Sequence, residues 1–127
     1  MNYNEINNKL KQLDIEDSIW IIYIGIILLS WYSNSLERNY FIYNDKVNKE
    51  KYRGTLILIF SILIIVYLYF FISSLDDIKN LKPFDTEEKK KLVYLTFIGS
   101  LLIVISGIIF LYVAIEDKEI NVELAFN

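Results

Sequence analysis

GTLILIFSILIIVYLYFFISSL, residues 54–75, carries no charged side chain and is apolar on every side of a helix. At the α-helical rise it extends about 33 Å, enough to cross a hydrocarbon core of roughly 30 Å. A soluble helix of that length turns one side to water and needs polar groups there, which gives an amphipathic pattern. This stretch has no such side. It reads as a membrane span.

Two further stretches share the property: SIWIIYIGIILLSWYSNSL at residues 18–36 and LVYLTFIGSLLIVISGIIFLYVAI at residues 92–115. All 13 Lys and Arg and all 16 Asp and Glu of the 127-residue chain fall outside the three runs. A chain this small cannot bury three helices on all sides, so a soluble arrangement would leave them facing water. The sequence therefore predicts an all-α membrane protein with three transmembrane helices and short amphipathic flanking segments. Its parts are an N-terminal polar segment (1–17), a first span (18–36), a basic connection with an interfacial helix (37–53), a second span (54–75), a polar connection (76–91), a third span (92–115) and an acidic tail (116–127).

The first span is the least apolar. Its strongly apolar part covers only residues 19–32, roughly 21 Å, and Ser33, Asn34, Ser35 and Leu36 must complete the crossing near the interface. Trp20 towards one end and Trp31 with Tyr32 towards the other suit the aromatic belts of a bilayer. Ahead of the run, Tyr3, Ile6, Leu10 and Leu13 follow helical spacing, which fits a short amphipathic helix at the headgroups. Glu16 and Asp17 stand where a signal peptide would carry basic residues, so the run is read as a span.

Leu36, Tyr40, Tyr43 and Val47 continue the helical spacing past the first run, and Asn44 with Asp45 predicts a turn. Lys46, Lys49, Lys51 and Arg53 then flank the second span, as Lys89, Lys90 and Lys91 flank the third. Such clusters mark membrane interfaces and can bind anionic headgroups. Asn80 and Pro83 break the chain before the third helix. Asp85 followed by Glu88 resembles a capping box and predicts a helix start near Thr86.

The chain has no Cys and no His. It therefore lacks thiolate chemistry, the commonest general base and the commonest transition-metal ligand. No ionisable Asp, Glu, Lys or Arg lies inside a run, so the usual parts of a proton relay or ion pathway are missing. A serine nucleophile would find no base there. Two Arg and scattered Lys make no nucleic-acid footprint. The expectation is a non-enzyme without cofactor, metal or small-molecule substrate, whose partners are the lipid bilayer and a homo-oligomer or larger membrane complex.

In the third run, Thr96, Gly99, Ser100, Ser106 and Gly107 gather on one side of the helix. Small residues let helix backbones approach closely where lipid is as apolar as the side chains. This side is the predicted helix-packing face. On orientation, Lys9, Lys11, Lys79, Lys82, Lys89, Lys90 and Lys91 share one side of the membrane, and Arg38, Lys46, Lys49, Lys51, Arg53 and Lys118 the other. The charges flanking the first two spans favour an outside N-terminus, Lys89–Lys91 before the third disagree, and dual topology is the alternative; the expected location is a plasma or inner membrane.

Two function classes fit. One is an accessory, scaffold or immunity-type membrane component acting through helix–helix contacts. The other is a self-associating permeabiliser. In size and span count the chain resembles phage holins, short three-span proteins with the N-terminus outside. Its acidic tail departs from the basic tail common in holins, and its first span has no polar stripe to line a pore.

Overall fold

The computed structural model describes residues 2–124 and holds three helices there: α1 (Tyr3–Tyr43), α2 (Lys46–Lys79) and α3 (Glu87–Glu116). No strand occurs among the described residues. Met1 and residues 125–127, the extremities of the predicted N-terminal segment and tail, lie outside them.

The N-terminal segment, the first apolar run and the residues after it form one continuous helix of 41 residues, roughly 60 Å long. Nothing inside it forces a break, since Gly25 is its only glycine and Pro is absent from it. A reciprocal capping box starts it: Glu5 N–H donates to Asn2 Oδ1 at 2.8 Å, and Asn2 N–H donates to Glu5 Oε2 at 3.3 Å. Asn44 ends it in the left-handed region (φ 51°), which asparagine tolerates better than most residues. Asp45 then caps α2 by accepting from Val47 N–H at 2.9 Å.

The α2–α3 connection closes differently from its sequence signature. Asp85 accepts from Lys82 N–H at 2.8 Å and so ties off the turn around Pro83. The cap of α3 is Thr86, which accepts from Lys89 N–H at 3.1 Å. The Asp85/Glu88 capping box is thus not the one used. The turn claims the Asp85 side chain, and the next hydroxyl takes over the helix start.

α2 is the central element. α1 packs on one side of it and α3 on the other, while α1 and α3 do not pack together among the described residues. From α1, Ile19, Ile26, Ser33 and Leu36 are buried, mostly at seven-residue spacing. From α2 come Tyr52, Leu56, Ile59, Phe60, Leu63 and Val66, a stripe of three- and four-residue steps. α3 adds Val104, Gly107 and Ala114. The rest of each apolar surface points outward. Only 28% of the most apolar stretch of α2 and 17% of that of α3 is buried. Both helices are long and apolar enough to cross a membrane; α1 is not one of these two.

Candidate functional site

The predicted packing face of α3 divides in two. Gly107 is buried, and a Cβ built there would lie 3.2 Å from both Ile64 Cγ1 and Tyr67 Cδ2 of α2. Glycine permits this approach because any side chain would press on both neighbours. Ser100 also faces α2, its hydroxyl 2.6 Å from that of Ser74. Each hydroxyl also lies within reach of a backbone carbonyl of its own helix, Ser74 Oγ 2.8 Å from Phe71 C=O and Ser100 Oγ 2.9 Å from Phe97 C=O, so with one proton each, one serine donates across the contact and the other to its own helix. Beside this pair the rings of Phe71 and Phe97 meet, their centroids 5.4 Å apart.

Thr96, Gly99 and Ser106 lie on the flank of α3 beside this contact. Thr96 and Ser106 are exposed, and Gly99 has open space where a Cβ would be. Thr96 donates its hydroxyl to Leu92 C=O at 2.9 Å within its own helix. Thr96 borders a cavity that it shares with Asp77 of α2, and beside Gly99 the space is open.

The interfacial residues also differ in their fates. Trp20, Trp31 and Tyr32 project outward, with Trp20 meeting the Tyr23 ring edge-on at 5.6 Å. Lys46 and Lys51 are exposed. Lys49 and Arg53 turn inward. Lys49 Nζ pairs with Glu119 at 3.0 Å and sits 5.4 Å from the Tyr40 ring. Its hydrogen bond to Glu119 raises its pKa above the ordinary value. Arg53 donates from Nη2 to Ile115 C=O at 2.9 Å, at the last turn of α3. At the opposite end, Lys89 pairs with Asp85 at 3.2 Å and Lys90 with Glu87 at 3.5 Å, while Lys91 is exposed. The backbone hydrogen bond from Lys82 is the main reason the Asp85 carboxyl lies below its ordinary range.

Sequence reasoning missed the residues that receive these groups. Ser74, Ile64 and Tyr67 complete the α3 contact, and Glu119 completes the Lys49 contact. Ser74 carried a signal, as a hydroxyl inside an apolar run that has to find a partner. For Ile64 and Tyr67 the pattern is silent, because α2 is apolar all round and its rotation about its own axis is set only by its neighbours.

No family model, no curated protein and no solved structure matches the chain.

What the site offers is contact. Among the described residues no group of three or more metal-ligating side chains occurs. A groove of about 450 Å³ between α1 and α2 is lined by Trp20, Tyr23, Ile26, Ile27, Ser30, Leu63 and Tyr67 and is mostly apolar. The strength of the Ser74–Ser100 bond is open to a double-mutant cycle with Ser74→Ala and Ser100→Ala. Inter-helix hydrogen bonds of this type contribute about 0.6 kcal/mol on average, so a coupling of that order is expected in detergent unfolding. Strictly additive losses would mean that the hydroxyls do not bond.

Proposed function

We propose that the protein is a three-span membrane protein acting without catalysis, as an accessory, scaffold or immunity-type component that binds through helix–helix contacts. One observation carries the reading. Thr96, Gly99 and Ser106 are small residues on an otherwise bulky apolar helix, with open space at Gly99 and the Thr96 hydroxyl bonded within its own helix. A second helix can approach closely there and nowhere else on α3 so easily. A second copy of the chain and a different membrane protein both meet that requirement.

Depth matching supports α1 as the third span. Glu16, Ile19 and Trp20 border the same groove as Phe70 of α2, and Leu36 shares a core with Tyr52 and Leu56. The charge-free residues 18–36 therefore run beside the charge-free residues of α2 for the thickness of the core. Leu58, Ile65 and Ile72 of α2 and Leu102, Ile105 and Ile108 of α3 are exposed without a partner, which suits lipid and opposes water. The charges flanking the first two spans favour an N-terminus outside, and a plasma or inner membrane is the location this reading takes.

The test is controlled expression in a bacterium, with carbonate washing of the membranes and continuous recording of membrane potential. The expected result is a carbonate-resistant, detergent-released protein with no depolarisation. Release by carbonate would overturn the membrane reading. Abrupt depolarisation that requires residues 92–115 would replace the accessory reading with the holin-like one, since a conducting path needs a hydrated lining.

A further inference from the structure

The three charge-free runs meet at one end of the bundle, where Leu36, Leu56 and Ala114 share a core. In a bilayer that end lies at the level of the lipid phosphates. Beyond α3 the chain folds back onto it. Asp117 organises the reversal by accepting from Asn121 N–H at 2.8 Å and Val122 N–H at 3.1 Å. Leu124 then joins the core with Leu36, Tyr52 and Leu56, and Glu119 pairs with Lys49 Nζ at 3.0 Å. Residues 117–124 are thus an acidic strap on the basic start of α2, with Asp117, Glu119 and Glu123 set against Lys118 alone.

Closure leaves two groups ill served. Ile120 takes φ 54°, a left-handed conformation that strains a β-branched residue. Arg53 Nε is buried without a hydrogen-bond partner, while Nη2 donates to Ile115 C=O at 2.9 Å. A buried donor left unpaired keeps its full desolvation penalty. Arg53 borders a pocket of about 10 Å³ that Asp117, Ile120, Val122 and Leu124 of the strap help to enclose. The Asp117 carboxylate is engaged by Asn121 and Val122, and Glu50 reaches only Nη1, at 3.5 Å. Lys49 and Arg53 therefore lie under the strap, their side chains 13% and 15% exposed, whereas Lys46 and Lys51 are open even while it is down.

Resting on the three-span reading, we propose that Lys49 and Arg53 are a binding site for the phosphate of an anionic phospholipid, masked by the strap with Glu119 as a built-in substitute for that phosphate. An anionic leaflet attracts juxtamembrane cations and offers them phosphate oxygens at this depth. A phosphate on Lys49 replaces the Glu119 carboxylate. Once the strap has lifted, Arg53 Nε–H gains an acceptor and Ile120 leaves its strained conformation. Lys46 and Lys51 meet lipid equally in both states and so shift nothing. The same leaflet repels Glu119 and Glu123, which helps lifting without selecting a site.

The chain has no cysteine, so Leu124→Cys supplies a single thiol, buried while the strap is down. The full-length variant is reconstituted in vesicles of phosphatidylcholine alone or with an equal share of phosphatidylglycerol. Carbonate-resistant flotation with the vesicles reports on the three-span reading separately. Labelling by a neutral maleimide is followed at one pH and one ionic strength. Its rate is divided by that of Val122→Cys, an exposed position that cancels the effect of surface potential on thiol reactivity. Two cations gaining lipid phosphate, against one ion pair lost, should raise this ratio about tenfold in the anionic vesicles. Lys49→Gln with Arg53→Gln should abolish the gain, Lys49→Gln alone should leave about threefold, and Lys46→Gln with Lys51→Gln should leave it whole. If the Lys49/Arg53 double variant does not insert, the Lys49 single variant decides. Equal ratios in the two lipids overturn the proposal, and so does a gain that is undiminished in Lys49→Gln or vanishes with Lys46 and Lys51. An equal gain from inorganic phosphate added to neutral vesicles would give the site to a soluble anion and overturn the lipid assignment.

Discussion

Gly107→Ile should unfold the α2–α3 contact, whereas Gly99→Ile should leave the fold intact. At Gly107 the first added carbon already lies 3.2 Å from Ile64 and Tyr67, and isoleucine adds three more carbons behind it. Overpacking of this kind costs about 1–3 kcal/mol, and a branched side chain against a ring belongs near the upper end. The gain in helix propensity on replacing glycine offsets only about half a kcal/mol. At Gly99 no atom lies within 4 Å of the new Cβ, so that gain stands alone and thermal unfolding in detergent should rise slightly or stay unchanged. The two variants therefore separate folding from association. If the free flank of α3 meets a second helix, Gly99→Ile should abolish cross-linking between copies or to the partner while the monomer still unfolds at its normal temperature. Equal thermal loss in both variants would remove the division of the face.

The same residues show what the sequence makes legible. The three apolar runs could be read because charge is excluded from them without exception, and a bilayer punishes charge on every side of a helix alike. That uniformity also hides the packing. α2 presents aliphatic and aromatic side chains all round, so no periodicity distinguishes Phe60, which is buried, from Ile65, which is exposed. The small residues of α3 mark a sector of the helix that contains Gly107 and Ser100, which face α2, and a sector is as fine as spacing resolves. Which part of it meets α2 depends on the rotation of a second helix that the third run does not encode. The ends were harder still. Lys49 and Arg53 look like headgroup ligands beside Lys46 and Lys51 in a linear reading, and only the fold brings Glu119 from the far end of the chain onto Lys49 and the Ile115 carbonyl onto Arg53.

Phe60→Ala should be among the most damaging single truncations in α2. The side chain is 1% exposed, packs within the cluster of Leu36, Tyr52, Leu56, Ile59 and Leu63, and lies 5.7 Å from the ring of Phe110. In a water-soluble core, removing a buried phenylalanine costs about 3–5 kcal/mol, as lost transfer energy plus the cavity left behind. In a bilayer the separated helices still keep that ring in hydrocarbon, so most of the transfer contribution disappears and the packing loss remains. The expected cost is accordingly about 2–3 kcal/mol in a reversible detergent-unfolding titration. Ile65→Ala, five residues along on the same helix and 69% exposed, should cost almost nothing by the same measurement. The contrast fixes the rotation of α2, because the two side chains lie on different sides of the helix and only one faces its neighbours. A large loss at Ile65 with a small one at Phe60 would turn α2 around, and with it the Gly107 contact, the Ser74–Ser100 bond and the core beneath the strap.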